Sequence, residues 1–363
     1  MGGVNCERVT GLSLTERDNY LRTVGFNGPE WIPCRIHISG ASRVEYGQEL
    51  HKIAQHYPRF FDERDQVKDS FIRPKFHPSH RSGEKFEDAW GCVWETAADG
   101  IEGVVTKHPL ADWGSFGGYH VPDPLSVGDR GPVNWDDIAE HISEQKNAGK
   151  LTSGGLVHGF LLLRLTYLRG FENLVYDLVD EEPKLKPLIE GIYQHSKTIV
   201  DKFLAMDVDI IEFPEDLGTQ ASSFISPRMM DKYVIPVYKR LMDPCRQHRK
   251  HVAFHSDGYI MGVVDQLLDA GVTILNPQDL CNGIDALASQ VKGRVAIRLD
   301  VDRQSIVPFG NHQDIMNLIE EEVRKLGSPE GGLEFIAGIY PPTPPENVMS
   351  LCKAFEKFER YYW

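Results

Sequence analysis

From residue 151 to the C-terminus the chain alternates between short apolar, β-branched runs and longer amphipathic ones. The short runs fall at 156–160, 209–213, 252–255, 272–275, 294–299 and 333–336 and read as strands. Between them, apolar residues recur at helical spacing, as in Leu185, Leu188, Ile189, Ile192, Ile199 and Phe203. Gly271, Gly293 and Gly327 stand where helix C-termini favour glycine. Ser226-Pro227 and Asp180-Glu181-Glu182-Pro183 supply helix starts. A strand-like run at 31–39 and an amphipathic run at 41–58 repeat the unit upstream. Strand followed by helix, repeated, implies parallel strands covered by crossover helices. The expectation is one α/β domain over 1–363, a (β/α)8 TIM-like barrel. A doubly wound sheet would call for a glycine-rich phosphate turn after the first strand. Ser39-Gly40-Ala41-Ser42 is no G-x-G-x-x-G.

The stretch 60–135 breaks the rhythm: it is rich in aromatics, Gly, Pro and His and has no helix-length periodic run. A structureless loop of that length is uncommon, so a strand-rich excursion covering one end of the barrel is predicted. The formal charge of −14 gives electrostatics the wrong sign for nucleic acid or an anionic membrane surface. No run of about 18 apolar residues offers a membrane span. Met1-Gly2-Gly3-Val4-Asn5-Cys6 lacks the layout of a secretory signal, and Cys6 stands where a myristoylation motif has Ser or Thr. The six cysteines form no C-x-x-C pair and read as reduced thiols, not a disulfide framework or a zinc ribbon. These features point to a cytoplasmic, enzyme-sized protein, with a homodimer as the general prior for barrels.

Functional groups of a parallel barrel gather at the C-terminal ends of its strands. Here those ends carry His37, His158, Glu215-Asp216, His255-Ser256-Asp257, Asn276, Gln278, Asp300-Val301-Asp302-Arg303 and Tyr340. Side chains alternate along a strand, so His255 and Asp257 share a face and can offer a two-ligand arm to a divalent metal. Glu215, or Asp216 in its place, is the candidate third ligand, a donor set that suits Zn2+. A lone His at a strand end is more commonly a hydrogen-bonded structural residue. Asp300 and Asp302 read rather as helix caps or partners of loop amides, and Arg298 suits either a substrate anion or an internal acid. The Trp90–Trp94 aromatics read as packing, Met229-Met230 as core or lid, and Cys34 as a small buried hydrophobe.

Several motifs then fall in a recognisable order. His251-Val252-Ala253-Phe254-His255-Ser256-Asp257-Gly258 resembles a strand-and-turn of the uroporphyrinogen decarboxylase superfamily, apolar-His-x-Cys/Asp-Gly. Asp269-Ala270-Gly271-Val272 resembles its Gly-V/I-D junction, and Val301-Asp302 with Gly310 its N-V-D-P…G segment. The run from Asp216-Leu217-Gly218 to Pro236 resembles its acidic strand end leading to S-P-x-x-F…P. Tyr340-Pro341-Pro342-Thr343-Pro344-Pro345-Glu346-Asn347-Val348 resembles its closing P-x-T-P-x-E-N-V. The resemblance covers about 150–360 well, the first third more loosely, and implies the superfamily's distorted barrel.

Two chemistries follow from it. Porphyrinogen decarboxylases bind a polycarboxylate through an N-terminal Arg-rich motif. The matching segment here, Pro33 to Ser39, keeps only Arg35, too few cations for such a substrate. The other branch comprises corrinoid-dependent methyltransferases, including ether-demethylating enzymes. Segments 88–95, 108–113 and 168–174 look like its ether-demethylating and unassigned members. Thiolate-zinc members have Cys where this chain has Asp257 and Ala337, so that thiolate site does not carry over unchanged; a His/Asp/Glu site in its place would be harder and more oxygen-rich. The expected function is methyl transfer from a small methylated oxygen compound, such as a methoxylated aromatic, to cobalamin on a separate corrinoid carrier protein. Zn2+ held by Glu215 (or Asp216), His255 and Asp257 would assist ether cleavage, with His37, His158, Arg298 and Tyr340 lining the pocket and 85–115 framing a carrier-docking surface. The alternatives are a metal-free lyase holding a small acid on Arg35 or Arg298, and a non-catalytic binding protein on the same barrel.

Overall fold

The computed structural model describes residues 14–66 and 74–363; the N-terminal leader and acylation readings, which fall on residues 1–6, lie outside these. The strands are β1 (Cys34–Ile38), β2 (Ser153–Gly155), β3 (Ile210–Asp216), β4 (His251–Asp257), β5 (Ile274–Pro277), β6 (Ala296–Asp300) and β7 (Leu333–Ile339). They form one seven-stranded sheet in the order β1-β7-β6-β5-β4-β3-β2, every pair parallel. Helices alternate with the strands, and buried apolar side chains on the outer strand faces, such as Phe213, Phe254, Leu299 and Phe335, pack against them.

Among the described residues the expected eighth strand is reduced to one rung. Phe61 makes an isolated parallel bridge to Ile36, flanked by tight turns at Pro58–Phe60 and Glu63–Asp65. Pro58 fixes its φ and has no N–H to donate, which favours the turn before Phe61, and a second turn follows at Glu63–Asp65. The run at 156–160 is likewise no strand: β2 ends at Gly155, and Leu156, Phe160 and Leu161 are buried in the loop that leads into helix Leu162–Arg169. Gly271 and Gly293 have the positive φ that suits a helix end, whereas Gly327 is extended.

The lumen is layered, because alternate side chains of each strand point inward. Helix Glu16–Val24, capped by Thr15, brings Tyr20 and Val24 against Ile210, Ala253, Ile274 and Ala296, an apolar plug at the strands' N-terminal end. Above it Arg298 donates through Nε to Glu334 (3.0 Å), through Nη1 to Glu212 (3.1 Å) and through Nη2 to the Tyr20 hydroxyl (2.7 Å). The strand C-termini form the mouth.

Between helices Gly40–His56 and Trp135–Asn147 lie a three-stranded antiparallel sheet (Lys85–Glu87, Val93–Glu95, Val104–Lys107) and a two-stranded one. A buried arginine pins this segment down. Arg164, 1% exposed, pairs with Asp88 and Asp129 and stacks on Trp90, its guanidinium carbon 4.6 Å from the ring centre. Trp94 and Trp90 donate their indole N–H to Asp88 and Asp129, so these aromatics pack and staple. At Gly100 (φ +79°) a Cβ would lie 2.5 Å from the Ala41 nitrogen, so only glycine lets the turn rest on the helix that follows β1, at the rim of the mouth. Cys34 and Met230 are buried, as expected of core residues. Among the described residues no helix is long and apolar enough to cross a membrane.

Candidate functional site

Two neighbouring acids at the end of β3 face opposite ways. Glu215 turns outward, is fully buried, and its carboxylate accepts the backbone N–H groups of Leu161, Leu162 and Leu163 at 2.5, 2.8 and 3.2 Å. It caps helix Leu162–Arg169 where the helix dipole favours a negative charge. That loop carries His158. Asp216 turns inward: Oδ2 lies 3.3 Å from His158 Nε2, and Oδ1 accepts the Asp257 N–H at 2.9 Å and lies 3.9 Å from His255 Nε2. One candidate ligand atom each from His158, Asp216 and His255 falls within 4.8 Å of the others.

His255 has its tautomer set from below. Its Nδ1 lies 2.9 Å from Asn276 Oδ1, and the Asn276 amide donates to the Arg298 carbonyl oxygen at 2.6 Å. The amide is thereby oriented with its oxygen towards His255, so Nδ1 carries a hydrogen and Nε2 faces the mouth, donating to Asp257 in the charged form and offering its lone pair in the neutral one. Asp257 Oδ1 lies 3.3 Å from that Nε2 and also takes a hydrogen bond from Arg303.

Burial opposes the charged form of His158, but the hydrogen bond and charge of Asp216 outweigh it and lift the imidazole to about 8. His255 is raised too: Asp257 and the nearby acids overcome the cost of burial. For Asp257, His255 and Arg303 overcome burial and hold the carboxyl below its ordinary range. Asp300 is pushed up to about 6 by burial, against the pull of Arg303.

Of the residues anticipated from sequence, His158, Asp216, His255 and Asp257 converge. Glu215 does not: its oxygens are committed to backbone amides, and Asp216, the anticipated substitute, stands in the cluster. Arg298 does not either, since each of its nitrogens is engaged in the layer below. His37 points into the mouth from β1 and lies 3.6 Å from Asp62; Tyr340 sits on the rim beside Arg303. Asp302 is a cap, its carboxylate accepting from Gln304, Ser305 and Val307 amides, whereas Asp300 faces Arg303. Asn276 and Arg303 received no role in the sequence reading. The alternation that picked out His255 and Asp257 gives no hint of a partner one strand away. Ala337 packs outward into the core and offers the mouth nothing.

A parallel barrel with imidazoles and carboxylates converging at its mouth defines an α/β-barrel protein with a candidate divalent-cation site. The chain belongs to the uroporphyrinogen decarboxylase (URO-D) family, whose model matches residues 88–358. Among solved structures it is similar to a methyltransferase from Methanosarcina mazei, with 15% identity, a TM-score of 0.63, and coverage of 94% of this chain and 98% of that one. It also matches a B12-independent methionine synthase from Shewanella sp. W3-18-1 at 10% identity and a TM-score of 0.44, covering 64% and 68% of the two chains. No curated protein sequence matches. At these identities the likeness speaks for the fold.

Proposed function

We propose that the protein is a methyltransferase that takes a methyl group from a small methylated oxygen compound, in the class of methoxylated aromatics, and passes it to a corrinoid carrier protein. The observation that carries this reading is the convergence of His158, Asp216 and His255 at the mouth of a URO-D barrel. The overall likeness to a methyltransferase structure supports it.

The donor set fits a metal. Two imidazoles and a carboxylate suit Zn2+, which His158, Asp216 and His255 would hold. A divalent cation held there supplies Lewis-acid stabilisation for the charge that develops on the leaving oxygen. The C–O bond of the donor breaks with its electron pair left on oxygen, and the methyl group passes to the electron pair of a cob(I)alamin on the carrier. The chain's own residues prepare this. Asn276 fixes the His255 tautomer, Glu215 fixes the loop bearing His158, and the Asp257 N–H orients Asp216.

A lyase holding its acid on Arg298 is disfavoured, because Glu212, Glu334 and Tyr20 occupy that guanidinium. The test is metal analysis of the purified protein, together with absorbance-monitored methylation of cob(I)alamin from a panel of methoxylated aromatics. Stoichiometric zinc lost in His158→Ala and His255→Ala, with methyl transfer lost alongside, is the expected result. A wild-type protein that takes up no divalent metal and methylates no corrinoid overturns the reading.

A further inference from the structure

The sequence motif resembled by 301–310 has proline directly after its aspartate, and this chain has Arg303 there. Arg303 reaches back into the mouth. Nη2 donates to Asp257 Oδ1 and lies 3.2 Å from Asp300 Oδ2. Nε and Nη1 have no protein acceptor among the described residues. The guanidinium carbon is 5.5 Å from the ring centre of Tyr340, whose side is open to solvent. Gly338 lies beneath both: a Cβ there would come within 2.8 Å of the Tyr340 ring and 3.7 Å of Arg303 Nη1.

This is a guanidinium already oriented by its neighbours, with one nitrogen committed and the remaining donors unpaired beside an aromatic face. Such a fork matches a planar carboxylate, and the adjoining ring matches an aromatic body. Through Asp257, Arg303 is one carboxylate away from His255, so a ligand held by it lies next to the cluster. Asp257 and Asp300 alone would repel an anion, and a divalent cation held by the neighbouring residues would offset that charge.

We infer that Arg303, with Tyr340, is the specificity-determining pair for a methyl donor whose aromatic ring carries a carboxylate. This rests on the methyl-transfer reading and names its substrate class.

The test is calorimetric binding of 3- and 4-methoxybenzoate against the corresponding uncharged methoxybenzamides, in zinc-supplemented and zinc-free buffer. Wild-type protein is expected to favour the acids by about tenfold, the more so with zinc. Arg303→Met should lose that preference while still binding the amides, and Arg303→Lys should keep part of it, as a point charge without the fork. Tyr340→Leu should weaken acids and amides alike. Equal binding of acid and amide by the wild type, binding of neither, or a loss in Arg303→Met that is the same for both overturns the inference. Arg303-dependent binding with no methyl reaching cob(I)alamin would remove the transfer reading and leave the recognition intact. Equal transfer from acid and amide would do the reverse.

Discussion

His255 and Asn276 sit on adjacent strands, and the 2.9 Å contact between Nδ1 and Oδ1 decides which imidazole nitrogen faces the mouth. Removing that partner frees the ring to rotate and to change tautomer. Asn276→Leu is therefore expected to weaken zinc binding about 10- to 100-fold. Competition with a chromophoric chelator measures it, and the circular dichroism spectrum should be unchanged.

Glu215 supports the site from behind. Glu215→Gln replaces a carboxylate that serves Leu161, Leu162 and Leu163 amides by a group with donors of its own. Leaving buried amides short of acceptors should cost about 1–3 kcal/mol in urea unfolding. Zinc affinity should fall as well, because the loop bearing His158 loses its anchor.

Arg298 bears on stability. In Arg298→Met the buried Glu334, left with only the Tyr20 hydroxyl, and the half-buried Glu212 keep their charge without a cationic partner. A loss of about 3–5 kcal/mol is expected. Zinc stoichiometry in the protein that still folds should match the wild type, which separates this layer from the mouth.

Glu322 sets a pH dependence. It is fully buried, and burial, together with the charge of Asp279 and a hydrogen bond to it, pushes its carboxyl well above the ordinary range. Asp279 is pushed up to about 6 by burial. Both folded values lie above those of the unfolded chain, so the native state holds protons that the unfolded chain releases near pH 4. Their contribution to stability is complete below about pH 4 and is lost as pH rises through the folded values. Glu322→Gln should remain neutral throughout, and its advantage over wild type in urea midpoint should widen from pH 5 to pH 8. A constant difference would count against this account.

The parallel barrel was legible because glycine-ended helical runs and β-branched runs alternate regularly, and because several motifs occur in order. The missing rung was not: Phe61 is one extended residue between two turns, and periodicity needs several residues to register. At the site, alternation along β4 correctly put His255 and Asp257 on one face. It could not rank Glu215 against Asp216, since that choice depends on which face of β3 meets the amides of a loop more than fifty residues away. Arg298 reads the same whether it meets a substrate or an internal acid. Only the register that brings Glu212 and Glu334 beside it decides.

The single bridge at Phe61 gives the cylinder a seam. Elsewhere neighbouring strands hold one another through continuous ladders, whereas at this point the described residues show one pairing contact, beside a cavity lined by Arg35, Phe61 and Lys150. Amides bordering such a seam are the ones whose protection is surrendered earliest when a barrel breathes. In hydrogen exchange the β1 edge should therefore lose protection ahead of β4 and β5, and the mouth carried by those inner strands would stay assembled while the wall beside it yields.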